Sequence, residues 1–354
     1  MTDVLFSHRG RLGEILLNRP QAINALTHPM VTAIQAQLDV WADDDSVQTV
    51  LLVGAGERGL CAGGDIVALF RDATGGDGEE SASFWLDEYR LNSAIHAYRK
   101  PFVAIMDGVV LGGGIGLSAH ASHRVVTERS KLGMPETGIG FVPDVGGTRL
   151  LSHAPGELGT FLGLTAGMMR AGDAIATGFA DRFVPSVLLP QLLASLETVP
   201  ADEAIRAVAA PAPTSALESH RPWIDAAFSA DRIDTILDRL RESPAPGAAE
   251  AAETVAAKSP TALAVTLASL RRARDLGSLE ETLIQEYRVS LRFLTTPDFA
   301  EGVRAQVIDK DRVPQWRPNL EDGVDEDTVA SYFAPLENEL TFPTIATSAR
   351  NGTP

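Results

Sequence analysis

The chain has 354 residues, 45% of them apolar and 22% charged, which is the composition of an ordinary globular protein with a substantial core. Its formal net charge of −17 argues against a protein that binds nucleic acid, because such a protein needs a basic face. A small anionic ligand is still compatible with this charge, since the local field at a binding site can oppose the overall charge.

The cysteine content and the N-terminal sequence indicate the cellular compartment of the protein. Cys61 is the single cysteine, so no intrachain disulfide can form, as is typical of a reducing compartment. The N-terminus has no basic start followed by an apolar run, and we predict no signal peptide. The most apolar window, residues 101–119, contains Asp107, whose charge would cost about 3 kcal/mol in mid-membrane. We therefore predict a cytoplasmic protein without a membrane span.

The first 56 residues predict the order strand, strand, helix, strand. Residues 3–8 and 12–17 are predicted as two strands around a turn, and a helix is predicted to begin near Thr27, whose hydroxyl suits an N-cap. The apolar, β-branched segment 47–56 predicts the next strand. A strand, a helix and a strand in this order imply a right-handed parallel crossover.

Two glycine-rich loops follow, at residues 58–65 and 108–116. The other elements predicted in this region are, in order, a helix from Ile66 to Phe70, a mobile polar loop at 73–82, a helix from about 83 to 100, a strand at 102–105 and a small-residue helix from Ile115 to about His123.

The composition changes after the first 200 residues. We predict a first unit at residues 1–197 that carries the site, and an Ala/Pro-rich linker at 198–217. Residues 218–340 predict a helical region, in which Ser259 and Ser278 have the character of N-caps. Residues 341–354 form the tail, whose polar end, TSARNGTP at 347–354, is predicted to be disordered.

Each glycine loop follows a strand and precedes a helix, so each can direct a free backbone N–H group at a ligand. Gly64 and Gly113 are the natural donors, and two such groups on one oxygen would stabilise negative charge developing there. The alternative is that both loops are only tight turns.

Three acidic residues are candidates for the chemistry. Glu136 lies in an apolar, Gly/Pro-rich stretch that should raise its pKa and suit it to act as a base or nucleophile, although it could equally be a surface residue. Asp144 follows Pro143 and could be a helix N-cap. Glu88 lies on a predicted helix, where a solvated position is the ordinary expectation. Two free amides beside two acids indicate acyl chemistry.

Other motifs suggest different functions. Residues 114–119 (GIGLSA) fit the dinucleotide fingerprint GxGxxA, with Glu136 about twenty residues further on, but they lie far from an N-terminal βαβ unit. Ser118 lies in a partial nucleophile elbow that lacks its last glycine and falls inside a predicted helix. His120 and His123 could share a metal, yet the spacing suggests no third ligand, and we predict no metal site. A Rossmann oxidoreductase, a serine hydrolase and a non-catalytic binding protein are the alternatives.

Several motifs together resemble the crotonase (enoyl-CoA hydratase/isomerase) superfamily. The motifs that carry this resemblance are LCAGGD at 60–65, LGGGIG at 111–116 and MPE at 134–136. A narrower resemblance, to members of the family that hydrolyse acyl-CoA thioesters, extends from Asn18 nearly to Pro335. It rests on DEYRLN at 87–92, MPETGIGFVPDVGG at 134–147, DFAEGVRA at 298–305, IDKD at 308–311, Pro314 and Trp316.

The resemblance implies a fold and a set of roles. The fold would be α/β, a crotonase-like (ClpP/crotonase) spiral of repeated ββα units with a C-terminal helical region. Gly64 and Gly113 match the oxyanion-hole positions for the thioester carbonyl. Glu136 matches the catalytic glutamate, Asp144 the second catalytic acid and Glu88 a further substrate-binding carboxylate.

The resemblance also implies where the substrate binds. The region around Arg19 to Asn24 and the loop at 58–65 match the part of the fold that receives CoA, which assigns CoA binding to Arg19, Ala62, Gly63, Gly64 and Asp65. CoA arrives as part of the substrate, so no separate cofactor is expected. A homo-oligomer formed through the C-terminal helices is a further expectation.

One position departs from the wider family. Hydratases carry a glutamate three residues after the middle glycine of the GGG cluster, and here that residue is Gly116. The departure disfavours hydratase activity, the alternative on the same fold. It favours hydrolysis, and the narrower resemblance implies that the substrate is a short, branched 3-hydroxyacyl-CoA thioester, as in valine catabolism.

Overall fold

The structure is a computed structural model that describes residues 2–320 and 323–342. The strands found in that part of the chain are β1 (Val4–Arg9), β2 (Leu12–Leu17), β3 (Thr49–Gly54), β4 (Gly59–Cys61), β5 (Phe102–Met106), β6 (Val109–Leu111), β7 (His123–Val126), β8 (Lys131–Gly133), β9 (Met168–Met169) and β10 (Arg182–Phe183). They form a larger sheet in the order β1-β2-β3-β5-β7-β10 and a smaller one in the order β4-β6-β8-β9.

The helices of the same residues are α1 (His28–Ala42), α2 (Ile66–Gly75), α3 (Glu79–His96), α4 (Gly113–Ser118), α5 (Gly147–Ser152), α6 (Leu158–Thr165), α7 (Ala171–Ala176), α8 (Leu189–Leu196), α9 (Ala201–Val208), α10 (Ala216–Phe228), α11 (Ile233–Glu242), α12 (Ala248–Ala256), α13 (Pro260–Ala273), α14 (Leu279–Leu294), α15 (Pro297–Val303) and α16 (Glu326–Ser331). Short 3₁₀ turns lie at Pro20–Ala22, Glu136–Ile139 and Ser186–Leu188, and Arg304–Ile308 is a π-helix.

Successive strand pairs extend both sheets at once. β3, β5 and β7 are parallel neighbours in the larger sheet, and β4, β6 and β8 are parallel neighbours in the smaller one. Each pair of consecutive strands therefore adds one strand to each sheet. Helices α2 and α3 follow the pair β3 and β4, and helix α4 follows the pair β5 and β6. This arrangement confirms the predicted spiral of ββα units. The parallel pairing of β2 with β3 across α1 also agrees with the predicted crossover.

The C-terminal helices pack against the spiral. α13 and α14 both contact α5, and α14 also contacts α3. The side chains of Ser259 and Ser278 accept hydrogen bonds from the backbone N–H groups of Ala262 and Glu281, so both predicted N-caps are present. These helices share one hydrophobic core with the spiral, which places them beside the candidate site.

The predicted linker differs from the structure, because residues 201–208 of the segment 198–217 form α9. Ala201, Ala204, Ile205 and Val208 are buried in a core that includes Leu51 of the larger sheet. Their helical spacing was hidden by the Ala/Pro-rich composition, which by itself is typical of an extended linker.

Two further boundaries differ. The polar segment 73–82, predicted as a loop, is largely helical, since α2 ends at Gly75 and α3 begins at Glu79. The predicted helix 115–123 ends at Ser118, and a strand begins at His123. The predicted disordered tail falls outside the described residues from 343 onward. None of the helices within 2–320 and 323–342 has the length and apolar character needed to cross a membrane.

Candidate active site

A cavity of about 410 Å³ lies where both glycine loops, α3 and the turns after β8 meet. We call it the active-site cavity. The residues predicted for the site that line it are Ala62, Gly63, Gly64, Glu88, Gly113, Glu136 and Asp144. Apolar walls come from Leu69, Phe84, Trp85 and Phe141, and Lys258, Gln306 and Val307 complete it from the C-terminal region.

The two glycine loops approach each other closely in this cavity. A Cβ atom added at Gly113 would lie 3.3 Å from the backbone nitrogen of Gly64 and 2.5 Å from Oε1 of Glu88. In the described part of the chain, neither the Gly64 nor the Gly113 N–H group donates a hydrogen bond to another group. Gly113 is the first residue of α4, where amides lack an intrahelical acceptor. Both amides are therefore free for a ligand, and no side chain fits between them.

The three predicted acids are buried around the same cavity. Glu88 is 2% exposed, Glu136 7% and Asp144 5%, so the solvated positions considered for Glu88 and Glu136 are wrong. Oε1 of Glu88 and Oε2 of Glu136 have no hydrogen-bond partner within residues 2–320 and 323–342. Buried carboxyl oxygens are rarely left unpaired, which indicates groups kept for a ligand. A Cβ added at Gly112 would lie 2.8 Å from Oε1 of Glu136, so this acid lies against the glycine turn.

Burial raises the pKa of all three acids, and the charge of Asp144 adds to the rise for Glu88 and Glu136. For Glu136 and Glu88, burial raises the pKa well above its ordinary value, and the charge of Asp144 raises it further. Burial raises the pKa of Asp144 to about 7, although the hydrogen bond from Tyr89 opposes the rise. The cluster therefore retains protons near neutral pH, and it can both accept and donate a proton during a reaction.

Two residues that sequence reasoning did not assign hold Asp144 in place. The hydroxyl of Tyr89 donates to Oδ2 of Asp144 over 2.8 Å and lies 2.9 Å from Oγ of Ser290 on α14. Among the described residues, Asp144 is therefore the one of the three acids whose side chain is oriented by a hydrogen bond. Tyr89 was part of a quoted motif, but the pattern gave it no role.

Glu286, also on α14, holds the turn that follows Asp144. Its carboxylate accepts hydrogen bonds from the Gly146 N–H over 2.6 Å, the Thr148 N–H over 3.0 Å and the Thr148 hydroxyl over 2.6 Å. Burial raises the pKa of Glu286 to about 8, and these donors oppose that shift. A single glutamate inside a long helix pattern gave no signal for this role.

Gly116 lies in a closely packed position behind Asp144. A Cβ atom there would lie 2.7 Å from Cβ of Val145 and 2.8 Å from Nδ2 of Asn92. Val145 has a φ of 52°, which is unusual for a β-branched residue, and its carbonyl accepts a hydrogen bond from Nε2 of His120 over 2.7 Å. The space that a hydratase glutamate would need is thus filled by Val145 and Asn92.

Two predicted CoA-binding residues are not among those that line the cavity. Arg19 donates from Nη1 to the Ala25 carbonyl over 2.6 Å and from Nη2 to Oδ2 of Asp65 over 3.2 Å. These contacts join the N-terminal turn to the start of α2. CoA binding by Arg19 and Asp65 stays a prediction, and both groups already have protein partners.

The residues of the competing motifs have structural partners. The hydroxyl of Ser118 is buried and donates to the Gly114 carbonyl over 2.6 Å. Nε2 of His120 bonds to Val145, whereas Nε2 of His123 lies 3.3 Å from Oδ1 of Asp202. No group of three or more potential metal ligands occurs in the part of the chain that the structure describes.

Asp144 and Glu286 lead us to expect that the free energy of unfolding falls as pH rises from 6.5 to 8. The folded protein holds these protons up to about pH 7 and about pH 8, whereas the unfolded chain releases them near 3.8 and 4.5. Because the native state binds more protons in this window, each group contributes a slope of up to about 1.4 kcal/mol per pH unit. His120, whose pKa burial lowers to about 4, has the opposite effect, which fades as the pH rises above 6.5.

Urea unfolding at several pH values across this window measures the slope. Asp144→Asn removes the group that titrates near pH 7 and should give a shallower decline than the wild type. Asp45→Asn, at an exposed position, is the matched control and should leave the slope unchanged. A free energy of unfolding that rises over the window would contradict the protonated cluster.

Comparison with known proteins identifies the family to which this site belongs. Residues 12–333 match the family described as enoyl-CoA hydratase/isomerase. A solved carnitinyl-CoA dehydratase from Mycobacterium thermoresistibile is 50% identical, with a TM-score of 0.94 and coverage of 98% of this chain and 100% of that one. An enoyl-CoA hydratase from Rhodobacter sphaeroides 2.4.1 is 44% identical, with a TM-score of 0.91 and coverage of 96% and 100%.

The names of curated relatives give hydrolysis, an activity that differs from those of the two solved structures. The mitochondrial 3-hydroxyisobutyryl-CoA hydrolase of Danio rerio is 39% identical over 347 residues, or 95% of this chain and 90% of the relative. That of Homo sapiens is 37% identical over 345 residues, or 94% and 89%. These names contradict the predicted cytoplasmic location. A single cysteine is typical of a reducing compartment, and this criterion does not distinguish the cytoplasm from a mitochondrion.

The site and the comparisons agree. The match covers both glycine loops, all three buried acids and the C-terminal helices that support them. Members of the family act on acyl-CoA substrates and are generally oligomeric. The chain belongs to the enoyl-CoA hydratase/isomerase family, whose crotonase-like spiral it adopts.

Proposed function

We propose that the protein hydrolyses the thioester of a short, branched 3-hydroxyacyl-CoA, 3-hydroxyisobutyryl-CoA, to the free hydroxy acid and CoA. The observation that carries the proposal is one cavity lined by two backbone amides without an acceptor and by two buried glutamates that each have an unpaired oxygen. The names of the curated relatives support the same reaction. No separate cofactor is required, because CoA enters and leaves as part of the substrate and product.

The first step is polarisation of the thioester. The carbonyl oxygen accepts hydrogen bonds from the N–H groups of Gly64 and Gly113, the latter at the start of α4. Such donors stabilise the negative charge that develops on the oxygen as the carbonyl carbon is attacked. The apolar walls of the cavity limit competition from water for these amides.

Glu136 and Asp144 then carry out different proton transfers. Glu136 either takes a proton from the attacking water or attacks the carbonyl itself, giving an anhydride that water opens. In both routes the carbon–sulfur bond breaks, and the departing thiolate takes up a proton. Asp144, oriented by Tyr89, binds the substrate 3-hydroxyl and helps to deliver that proton. Glu88, which lies on α3, holds either Asp144 or the substrate 3-hydroxyl in position.

Hydration or dehydration is the second candidate function. It is favoured by the names of the solved relatives that are 50% and 44% identical. Against it, the packing around Gly116 leaves no space for the second glutamate with which hydratases add water. We therefore rank hydrolysis first.

A thiol-release assay on a panel of short acyl-CoA esters, with and without a 3-hydroxyl, separates the two candidates. We expect release of free CoA to be fastest with the branched 3-hydroxy ester, because Asp144 recognises the hydroxyl. Crotonyl-CoA should keep the absorbance of its conjugated double bond. Loss of that absorbance without thiol release would replace the hydrolase with a hydratase, and binding of the esters with neither change would indicate a non-catalytic protein.

The proposal extends to substrate contacts and assembly. Ala62, Gly63 and Gly64 line the cavity and would contact the CoA thioester through their backbone, near Arg19 and Asp65. A homo-oligomer would form through the C-terminal helices.

A further inference from the structure

The C-terminal motif at residues 298–316 takes no part in the proposed chemistry, yet it builds one side of the active-site cavity. Oδ2 of Asp298 accepts a hydrogen bond from the Ser259 hydroxyl over 2.5 Å, and Nε1 of Trp316 donates to the Ala257 carbonyl over 2.9 Å. These two contacts hold the turn between α12 and α13 on both sides of Lys258. The backbone of this lysine is therefore fixed.

The same motif shapes the neighbouring wall through a π-helix. Residues Arg304–Ile308 form this element directly after α15, and Gln306 and Val307 from it line the cavity. The Arg304 guanidinium holds it by pairing with Glu301 over 2.8 Å and with the carboxylates of Asp309 and Asp311. π-helical turns occur frequently at functional sites, since they redirect individual side chains.

Lys258 and Gln306 line the cavity with polar side chains, and neither has a partner among the residues that the structure describes. In residues 2–320 and 323–342, neither side chain makes a hydrogen bond, and Lys258 forms no ion pair. Lys258 is half-buried, so burial lowers the pKa of its ammonium group. A half-buried cation on a fixed backbone and an amide on the same cavity wall are groups that a ligand would satisfy.

The polar residues of the cavity differ in burial, and this difference indicates which part of a ligand they contact. Glu88, Glu136 and Asp144 are almost completely buried, whereas Lys258 and Gln306 are partly exposed. The two partly exposed residues therefore lie nearer the mouth. If the thioester lies at the buried acids, as the proposed function requires, the chain that passes the mouth is the pantetheine arm. That arm carries two amide groups.

We propose that Lys258 and Gln306 bind the amide groups of the pantetheine arm. The Lys258 ammonium donates to an amide carbonyl, and the Gln306 side chain both donates and accepts. The assignment rests on the proposed function only for the position of the thioester. With this assignment, the C-terminal motif at residues 298–316 has a role in substrate recognition.

The test uses S-methyl-CoA and S-methylpantetheine, which carry no acyl oxygen and cannot be hydrolysed as thioesters. Their dissociation constants are measured by calorimetry. We expect Lys258→Met to weaken both ligands equally, by roughly ten-fold to a hundred-fold, the effect of losing a charged hydrogen bond. Gln306→Met should weaken both by a smaller factor, and Lys258→Arg should restore part of the loss. Lys131→Met, at an exposed lysine, is the matched control and should change neither constant.

Three outcomes would overturn the assignment. A loss confined to S-methyl-CoA would mean that Lys258 binds a phosphate, and an unchanged affinity for both ligands would remove it from arm recognition. A loss accompanied by a lower melting temperature, and not restored by Lys258→Arg, would mean a structural role. Since no ligand is turned over, failure of the thiol-release assay would overturn the hydrolase proposal and leave this measurement interpretable.

Discussion

Replacing Glu136 with glutamine is expected to lower the turnover number for thioester hydrolysis by roughly 10²- to 10⁴-fold, the usual contribution of a positioned base. Glutamine keeps the shape of the side chain but can neither take a proton from water nor attack the carbonyl. Because the two amides and the apolar walls remain, the affinity for the acyl-CoA ester should change little. Thiol release under saturating substrate and calorimetric binding measure the two quantities separately.

Glu250→Gln is the matched control for this variant, since Glu250 is an exposed residue of α12. It should retain wild-type turnover and affinity. If Glu136→Gln turned over at the wild-type rate, Glu136 would have no part in the mechanism. The buried, unpaired Oε2 would then need another explanation.

Replacing Gly113 with alanine is expected to lower turnover by about 100-fold or more, the cost of losing one oxyanion donor. The added Cβ would lie 2.5 Å from Oε1 of Glu88 and 3.1 Å from Cδ1 of Leu26, so the loop must move. That movement separates the Gly113 amide from the Gly64 amide. Initial rates of thiol release measure the loss.

Gly75→Ala provides the control for Gly113→Ala. Gly75 is the last residue of α2, and a Cβ atom there would meet no atom within 4 Å. This variant should keep full activity and gain slightly in stability, because alanine is the better helix former. Equal activity of the two alanine variants would show that the Gly113 amide does not bind the carbonyl oxygen.

Sequence alone could predict residues that belong to a local motif and whose residue type itself indicates their chemistry. Gly64, Glu88, Gly113, Glu136 and Asp144 all line one cavity. Parallel strands such as β5 were predictable for a similar reason, since a continuous apolar run marks a strand buried on both faces.

The supporting residues could not be predicted in this way. Tyr89 lies 55 positions from Asp144, Ser290 lies 201 positions from Tyr89, and Glu286 lies 140 positions from Gly146. No local pattern joins groups so far apart, because only the packing of α14 against α3 and α5 brings them together. For the same reason, the motif at 298–316 was recognisable without its position at the cavity being evident.

Local composition misled the prediction in two places. α9 was assigned to a linker because alanine and proline dominate its surroundings, although its apolar residues recur at helical spacing. The segment 73–82 was assigned to a loop, yet Asp72 accepts hydrogen bonds from the backbone and hydroxyl of Ser81 and draws the start of α3 against α2. In both cases a tertiary contact outweighed the local preference.

The vibrational frequency of the bound thioester carbonyl tests the oxyanion site most directly. A substrate labelled with ¹³C at this carbonyl, bound to Glu136→Gln, gives an infrared difference band before any turnover. Two amide donors should shift the band clearly below its frequency in water, and adding Gly113→Ala should return it most of the way. A band that stays at the solution frequency in Glu136→Gln would contradict polarisation of the carbonyl by the Gly64 and Gly113 amides.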